Sequence, residues 1–97
     1  MQAAMVQDLP GTSRQITADQ LEYIRKAIGV TKIRMSLMMG VHYQTYKKWA
    51  RGENPIDAST SRLAVLLYTL YVTHGEELDF WVDQAARFQE NGLRENI

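Results

Sequence analysis

The chain has 97 residues, no net charge at pH 7, 45% hydrophobic residues and no cysteine. This length suits one domain with a modest core, and the composition is that of a globular protein. The absence of cysteine excludes a disulfide framework and a zinc finger. No run approaches the ~18 apolar residues of a membrane span and no signal-peptide pattern begins the chain, so we expect a cytoplasmic protein without membrane contact.

The zero net charge hides an asymmetry between the two halves of the chain. Residues 14–52 carry eight cations and two anions, whereas residues 53–97 carry three cations and eight anions. Such asymmetry favours contact between the basic half and a polyanion, while the acidic half faces water or another protein.

The chain is predicted to consist of an arm and one helical domain. Residues 1–13 include Pro10 and Gly11 and show no helical period, which indicates a flexible N-terminal arm. Residues 14–97 show helical spacing and no alternation typical of a strand, so the predicted class is all-α.

The first helix is predicted to run from about Ala18 to Ile28. Thr17 and Gln20 have the spacing of a capping box, in which each side chain satisfies a backbone N–H at the helix start. Gly29 supplies the left-handed residue that ends it. Its apolar face consists of Leu21, Ile24 and Ile28.

Two short helices are predicted next, within residues 32–51. Thr31 can cap the first of them, which ends at Gly40, and His42 can cap the second, which starts around Tyr43. A turn of three residues therefore joins them. The side chains predicted to face the core are Met35, Met38, Met39, Val41, Tyr46 and Trp49.

Two C-terminal helices are predicted at about 58–73 and 76–90, with the break at Gly75. Either Asp57 or Ser59 can cap the first of these. Together they offer more apolar surface than the short helices can cover, so we expect them to form a homodimer interface. The tentative interface residues are Leu70, Tyr71, Trp81 and Phe88.

The helix that starts around Tyr43 carries the pattern expected of a helix that enters a DNA major groove. With Tyr46 and Trp49 directed inward, its remaining surface is polar and cationic, which suits base edges and phosphates. The residues of this outer surface are Tyr43, Gln44, Thr45, Lys47, Lys48 and Arg51.

Residues 32–52, followed by Pro55, resemble the helix-turn-helix of the Cro/repressor (XRE-like) family. The resemblance covers roughly residues 21–55. It implies a five-helix lambda-repressor-like bundle and a transcriptional regulator that binds a palindromic operator in double-stranded DNA as a dimer.

The resemblance also implies roles for individual residues. The positions that match base-contacting residues of the family are Tyr43, Gln44, Thr45 and Lys48. The positions expected to contact phosphate are Lys32, His42, Lys47, Arg51 and Asn54. Lys32 lies where a side chain and a helix N-terminus together hold a phosphate.

Three residues depart from the family pattern. Ser36 replaces the usual Ala and is small enough for a helix crossing, and Ala50 replaces a frequent acid. Tyr46 replaces a branched aliphatic residue. We expect its bulk to tilt the recognition helix or to raise its hydroxyl toward the DNA.

Other functions remain open from the sequence. The acidic C-terminal half is compatible with a DNA-binding antitoxin that holds a basic toxin, and the zero net charge with a helical bundle that binds only proteins. His42 and His74 are not accompanied by metal-ligand spacing, and no nucleophile and base stand together. We therefore expect no catalysis, cofactor or metal.

Overall fold

The structure, a computed structural model, describes residues 14–92. Within this range the chain is all-helical and contains no strand. The predicted arm, residues 1–13, lies outside the described residues, as do the last five positions, 93–97.

The helices follow one another with short connections. They are α1 (Ala18–Ile28), α2 (Lys32–Met39), α3 (Tyr43–Ala50), α4 (Ala58–His74) and α5 (Leu78–Asn91), with a short 3₁₀ helix at Gly75–Glu77 between the last two. The bounds of α1 and α2 are those that the capping pattern predicts.

Side chains next to the helix starts each satisfy one of the free backbone N–H groups there. Thr17 and Gln20 form the predicted capping box, with N···O distances of 3.1 and 2.9 Å. Thr31 Oγ1 accepts from the N–H of Arg34, the third residue of α2, at 3.1 Å. Asp57, rather than Ser59, caps α4 by accepting from the N–H of Thr60 at 2.7 Å. Helix starts are thus set by local chemistry.

The corner between α4 and α5 differs from the prediction. Gly75 has right-handed helical angles, φ −56° and ψ −33°, so it does not break the chain. The break lies at His74, with φ −141° and ψ 48°. A 3₁₀ turn follows, and α5 begins at Leu78. Short 3₁₀ turns are common at the ends of α-helices.

The core lies between α1, α2, α3 and the first part of α4, and α5 contributes Leu78 to it. The predicted inward positions of α2 and α3 are buried, while Val41 is half-buried at the edge of the core. Ile33 and Leu37 of α2 are exposed. The buried apolar residues are Leu21, Ile24, Met35, Met38, Met39, Tyr46, Trp49, Ile56, Ala64, Leu67 and Leu78.

None of the helices within residues 14–92 combines the length and the apolar character that crossing a bilayer requires.

Candidate nucleic-acid interface

The connection between α2 and α3 is a turn of residues 40–42. Gly40 has φ +72°, a left-handed conformation that side chains with a Cβ rarely adopt. Its N–H and that of Val41 donate to the carbonyl oxygens of Leu37 and Ser36, at 3.1 and 3.0 Å. The turn therefore satisfies two carbonyl groups in the last turn of α2, and α3 begins directly after it.

The outer surface of α3 is polar, and its inner surface is apolar. Tyr46 is fully buried and Trp49 is 8% exposed, whereas Gln44 and Lys48 lie in solvent. The other predicted contact residues on the helix, Tyr43, Thr45 and Lys47, are half-buried. The predicted separation of an inward apolar stripe from an outward polar one is confirmed for α3.

Lys47 and Tyr43 form a contact of their own on this surface. The Lys47 ammonium lies 4.6 Å from the centre of the Tyr43 ring, within the range of a cation–π interaction. The ring restrains the lysine and places its positive charge over the first turn of α3.

His42 has a structural role at the start of α3. Its Nδ1 accepts a hydrogen bond from the backbone N–H of Gln44 at 3.1 Å, so the predicted capping role is confirmed. The residue is otherwise exposed. The same side chain therefore lies at the positive end of the helix dipole, where an anion is also favoured.

The remaining predicted phosphate contacts surround α3. Lys32 is half-buried at the first position of α2, and Asn54 is exposed in the loop after α3. Arg51 pairs with Glu53, and the hydrogen bond from Arg51 lowers the pKa of that carboxyl group below its usual value. Exposed pairs of this kind contribute little to stability, so the guanidinium can exchange its partner.

The sequence left two alternatives for Tyr46, a tilt of the recognition helix or a hydroxyl raised toward the DNA, and the structure contradicts the second. The ring is fully buried and the hydroxyl donates to Glu22 Oε2 of α1 at 2.7 Å. Burial first, and then this hydrogen bond to a carboxylate, raise the pKa of Tyr46 far above its usual range. Sequence analysis did not identify Glu22 as a partner, and no local pattern links residues 24 positions apart.

Ser36 fits the crossing of α2 and α3 without an unsatisfied polar group. The residue is 2% exposed, and its hydroxyl donates to the carbonyl oxygen of Ile33 at 2.6 Å. The burial of Ser36 is compatible with the expectation that a small side chain suits the crossing of α2 and α3, which stays a prediction.

The C-terminal helices expose apolar side chains, including ones that sequence analysis missed. Of the predicted interface residues, Leu70 packs partly against the core, whereas Tyr71, Trp81 and Phe88 are exposed. The missed residues are Val65, Leu66, Val72 and Phe80. The sequence signal that could have identified the exposed residues of α4 is the apolar character of this helix on all sides. Such helices are normally buried against other parts of a protein or against a partner.

The described residues hold no group of three or more acidic, histidine or cysteine side chains placed to bind a metal ion. No protein-family model, curated protein or solved structure matches the chain.

Proposed function

We propose that the protein is a sequence-specific double-stranded DNA-binding transcriptional regulator, acting as a repressor or autoregulator. In this proposal α2, the turn of residues 40–42 and α3 form a helix-turn-helix of the Cro/repressor kind within a lambda-repressor-like bundle, and α3 lies in the major groove. The observation that carries the proposal is the surface of α3, where buried aromatic rings support a solvent-facing row of amide and ammonium groups.

The proposed base contacts lie on the exposed side of the helix. Gln44 and Lys48 are one turn apart and both exposed, so both can reach base edges along the groove. A glutamine can bond adenine in a bidentate manner, and a lysine can donate to guanine. Tyr43 and Thr45, in the first turn, supply further contacts.

The proposed phosphate contacts border this row. Lys32 and His42 lie at the starts of α2 and α3, where free N–H groups and the helix dipole favour an anion. Lys47, Arg51 and Asn54 add donors beside α3. Such contacts fix the position of a protein on the duplex, while base contacts give the specificity.

A homodimer through α4 and α5 completes the proposal. One helix in one groove reads a short site, whereas a two-fold dimer reads two half-sites about one helical turn apart. Support comes from the uncovered apolar surface of these helices, which includes Leu66 at 56% and Val72 at 61% exposure. From residue 63 to residue 73 α4 carries no charged side chain, so a second copy meets no like charge there.

The direct test is selection of bound sequences from a random duplex pool, followed by affinity measurements on the selected site. We expect Gln44→Ala to lose about 1–3 kcal/mol of binding free energy and to relax the preference at one base position. Gln89→Ala, on α5, is the matched control and should bind as the wild type does. Selection that yields no preferred sequence contradicts the proposal.

Salt dependence tests the phosphate contacts separately. Lys47→Ala should weaken binding to all duplexes and reduce the slope of log Kd against log salt by about one. Lys26→Ala removes the same charge from an exposed position on α1 and should leave the slope nearly unchanged. Equal slopes for the wild type and Lys47→Ala would argue against a phosphate contact at this residue.

A second candidate function, a DNA-binding antitoxin, is favoured by the surface of α5. Phe80 and Trp81 are exposed, and their rings contact each other at 5.1 Å between centroids, among several acidic side chains. An aromatic and acidic surface suits a basic protein partner. A basic protein that co-purifies with the wild type, and is lost with Trp81→Ala, would favour this function.

A further inference from the structure

A small polar cluster on α1 connects this helix with α3 and with the segment that precedes α2. Glu22 and Arg25, one turn apart on α1, form an ion pair in which the guanidinium bonds both carboxylate oxygens. Their side chains are only 15% to 18% exposed. Each also has a partner outside α1: Glu22 accepts from Tyr46, and Arg25 Nη1 donates to the carbonyl oxygen of Val30 at 2.8 Å.

The hydrogen bond between Tyr46 and Glu22 links α3 to α1. It is a direct side-chain hydrogen bond between α3 and α1, 2.7 Å long. The other contacts of α3 with the core are apolar, through Trp49 and the Tyr46 ring. Apolar packing has no directional preference, whereas a hydrogen bond weakens steeply when its angle changes. The bond therefore resists rotation of α3 about its own axis.

Arg25, the other residue of the cluster, bonds to the segment that leads into α2. Val30 immediately precedes Thr31, whose side chain caps α2. Arg25 therefore links the carboxylate that holds α3 to the segment that begins α2. A rigid planar guanidinium can bond a carboxylate and a carbonyl oxygen at fixed angles, which a lysine cannot do.

The orientation of α3 matters because its contact residues project from one helical surface. A small rotation about the helix axis moves Gln44 and Lys48 sideways relative to base edges, while phosphate contacts through long cationic side chains tolerate such movement. A structural restraint on rotation thus affects base discrimination more than general affinity.

We propose that Glu22 and Arg25 are positioning residues for DNA recognition, which set the orientation of α3 through the Tyr46 hydroxyl and the Val30 carbonyl. This inference rests on the proposed function. Neither residue contacts the nucleic acid. They act on the bases only through the direction in which α3 presents its side chains.

The test uses two variants that remove the links without removing the packing. Tyr46→Phe keeps the buried ring and loses the hydroxyl, and Arg25→Lys keeps the charge and loses the fixed geometry. Tyr23→Phe, which removes an exposed hydroxyl from α1, is the control. Circular dichroism and thermal unfolding first establish that each variant is folded.

Duplex affinities and amide exchange, both measured on the full chain, then test the positioning role. For Tyr46→Phe and Arg25→Lys, we expect the ratio of Kd for an unrelated duplex to Kd for the selected duplex to fall roughly tenfold, about the discrimination of one base contact. Affinity for the unrelated duplex should stay within about twofold. Amide exchange across α3 should become faster in both variants, with α4 unchanged.

The outcomes separate the inference from the function on which it rests. A wild type that discriminates between duplexes, with the same ratio in both variants, overturns the positioning role alone, even if the variants unfold at lower temperature. A wild type that binds no duplex selectively overturns the proposed function and, with it, this inference. Loss of discrimination in both variants but not in Tyr23→Phe supports the inference.

Discussion

Glu22 keeps its negative charge although most of its side chain is covered. Burial, the largest single effect, acts to raise the pKa of this carboxyl group, but the hydrogen bonds from Arg25 and Tyr46, together with the positive charges of Arg25 and Lys32, outweigh burial, so the pKa lies below its ordinary value of 4.5. A carboxyl group with a lower pKa in the folded protein binds protons less readily there than in the unfolded chain. It therefore stabilises the fold at neutral pH, and this contribution is lost as the pH falls through the folded-state pKa.

Glu22→Gln should accordingly change how stability depends on pH. We expect the variant to be less stable than the wild type at pH 7, and we expect the difference to shrink as the pH is lowered from about 5 toward 3. Urea unfolding at a series of pH values measures both. Glu76→Gln, an exposed acid outside the cluster, serves as the control for the loss of one negative charge. A difference that stays constant over this pH range would show that Glu22 is not the titrating group.

Residues such as Tyr46 mark the limit of what the sequence predicts at this scale. Its helical spacing with Trp49 correctly predicted burial, because periodicity identifies the inward side of a helix. The partner of its hydroxyl could not be predicted, since Glu22 belongs to another helix and only the tertiary fold brings the two residues together. The roles of Gln44 and Lys48 toward bases stay predictions, whereas their exposure is a property of the structure.

Two glycines at helix ends have opposite conformations and should respond in opposite ways to alanine. Gly40, between α2 and α3, is left-handed at φ +72°, and a Cβ there would meet no atom within 4 Å. Gly75, after α4, is right-handed, and a Cβ there would lie in ordinary contact with the Tyr71 ring at 3.5 Å. Backbone strain alone therefore distinguishes the two positions.

We expect Gly40→Ala to destabilise the fold by about 1–2 kcal/mol, the cost of a left-handed residue with a Cβ. Gly75→Ala should stabilise it by about 0.4–1 kcal/mol, because alanine lowers the entropy of the unfolded chain without strain. Chemical unfolding of both variants and the wild type measures the sign of each change in the free energy of unfolding. Destabilisation by both to the same extent would contradict the assigned backbone conformation of Gly75.

The starts of the helices could be predicted from the sequence where a capping residue lies within one turn of the helix start. Thr17 with Gln20, Thr31 and Asp57 each act within one turn of their own position, which is why the helix starts agree with the sequence pattern. The corner at His74 was missed because a glycine next to it is only a statistical sign of a break. The sequence made no prediction for Ile33 and Leu37, which are exposed, since periodicity within α2 does not reveal how many neighbours cover the helix.

The C-terminal helices leave the molecule with an uncovered apolar side, which is the basis for the proposed dimer. Leu78 is the only buried residue of α5 in the described chain, and a helix of this length is marginal in water without packing. A second copy that covers the outer side of α4 and α5 would supply that packing.

Leu66→Asp should therefore convert a dimer into a monomer, because it places two like charges near the contact and removes apolar surface. Sedimentation equilibrium at tens of micromolar, roughly the range where a moderate interface is occupied, measures the mass. Leu37→Asp alters a similarly exposed leucine on α2 and should leave the mass unchanged. A wild type that sediments as a monomer would remove the dimer from the proposal.

If the protein binds DNA as proposed, the separation of charge along the chain would also affect how the molecule meets a duplex. The helices α1 to α3 belong to the basic segment, and α4 and α5 belong to the acidic one. A polyanion would attract the basic segment and repel the acidic one, so we expect collisions to be biased toward arrival with α3 in front. We expect the zero net charge to limit unselective adhesion, while the charge separation would still favour fast capture.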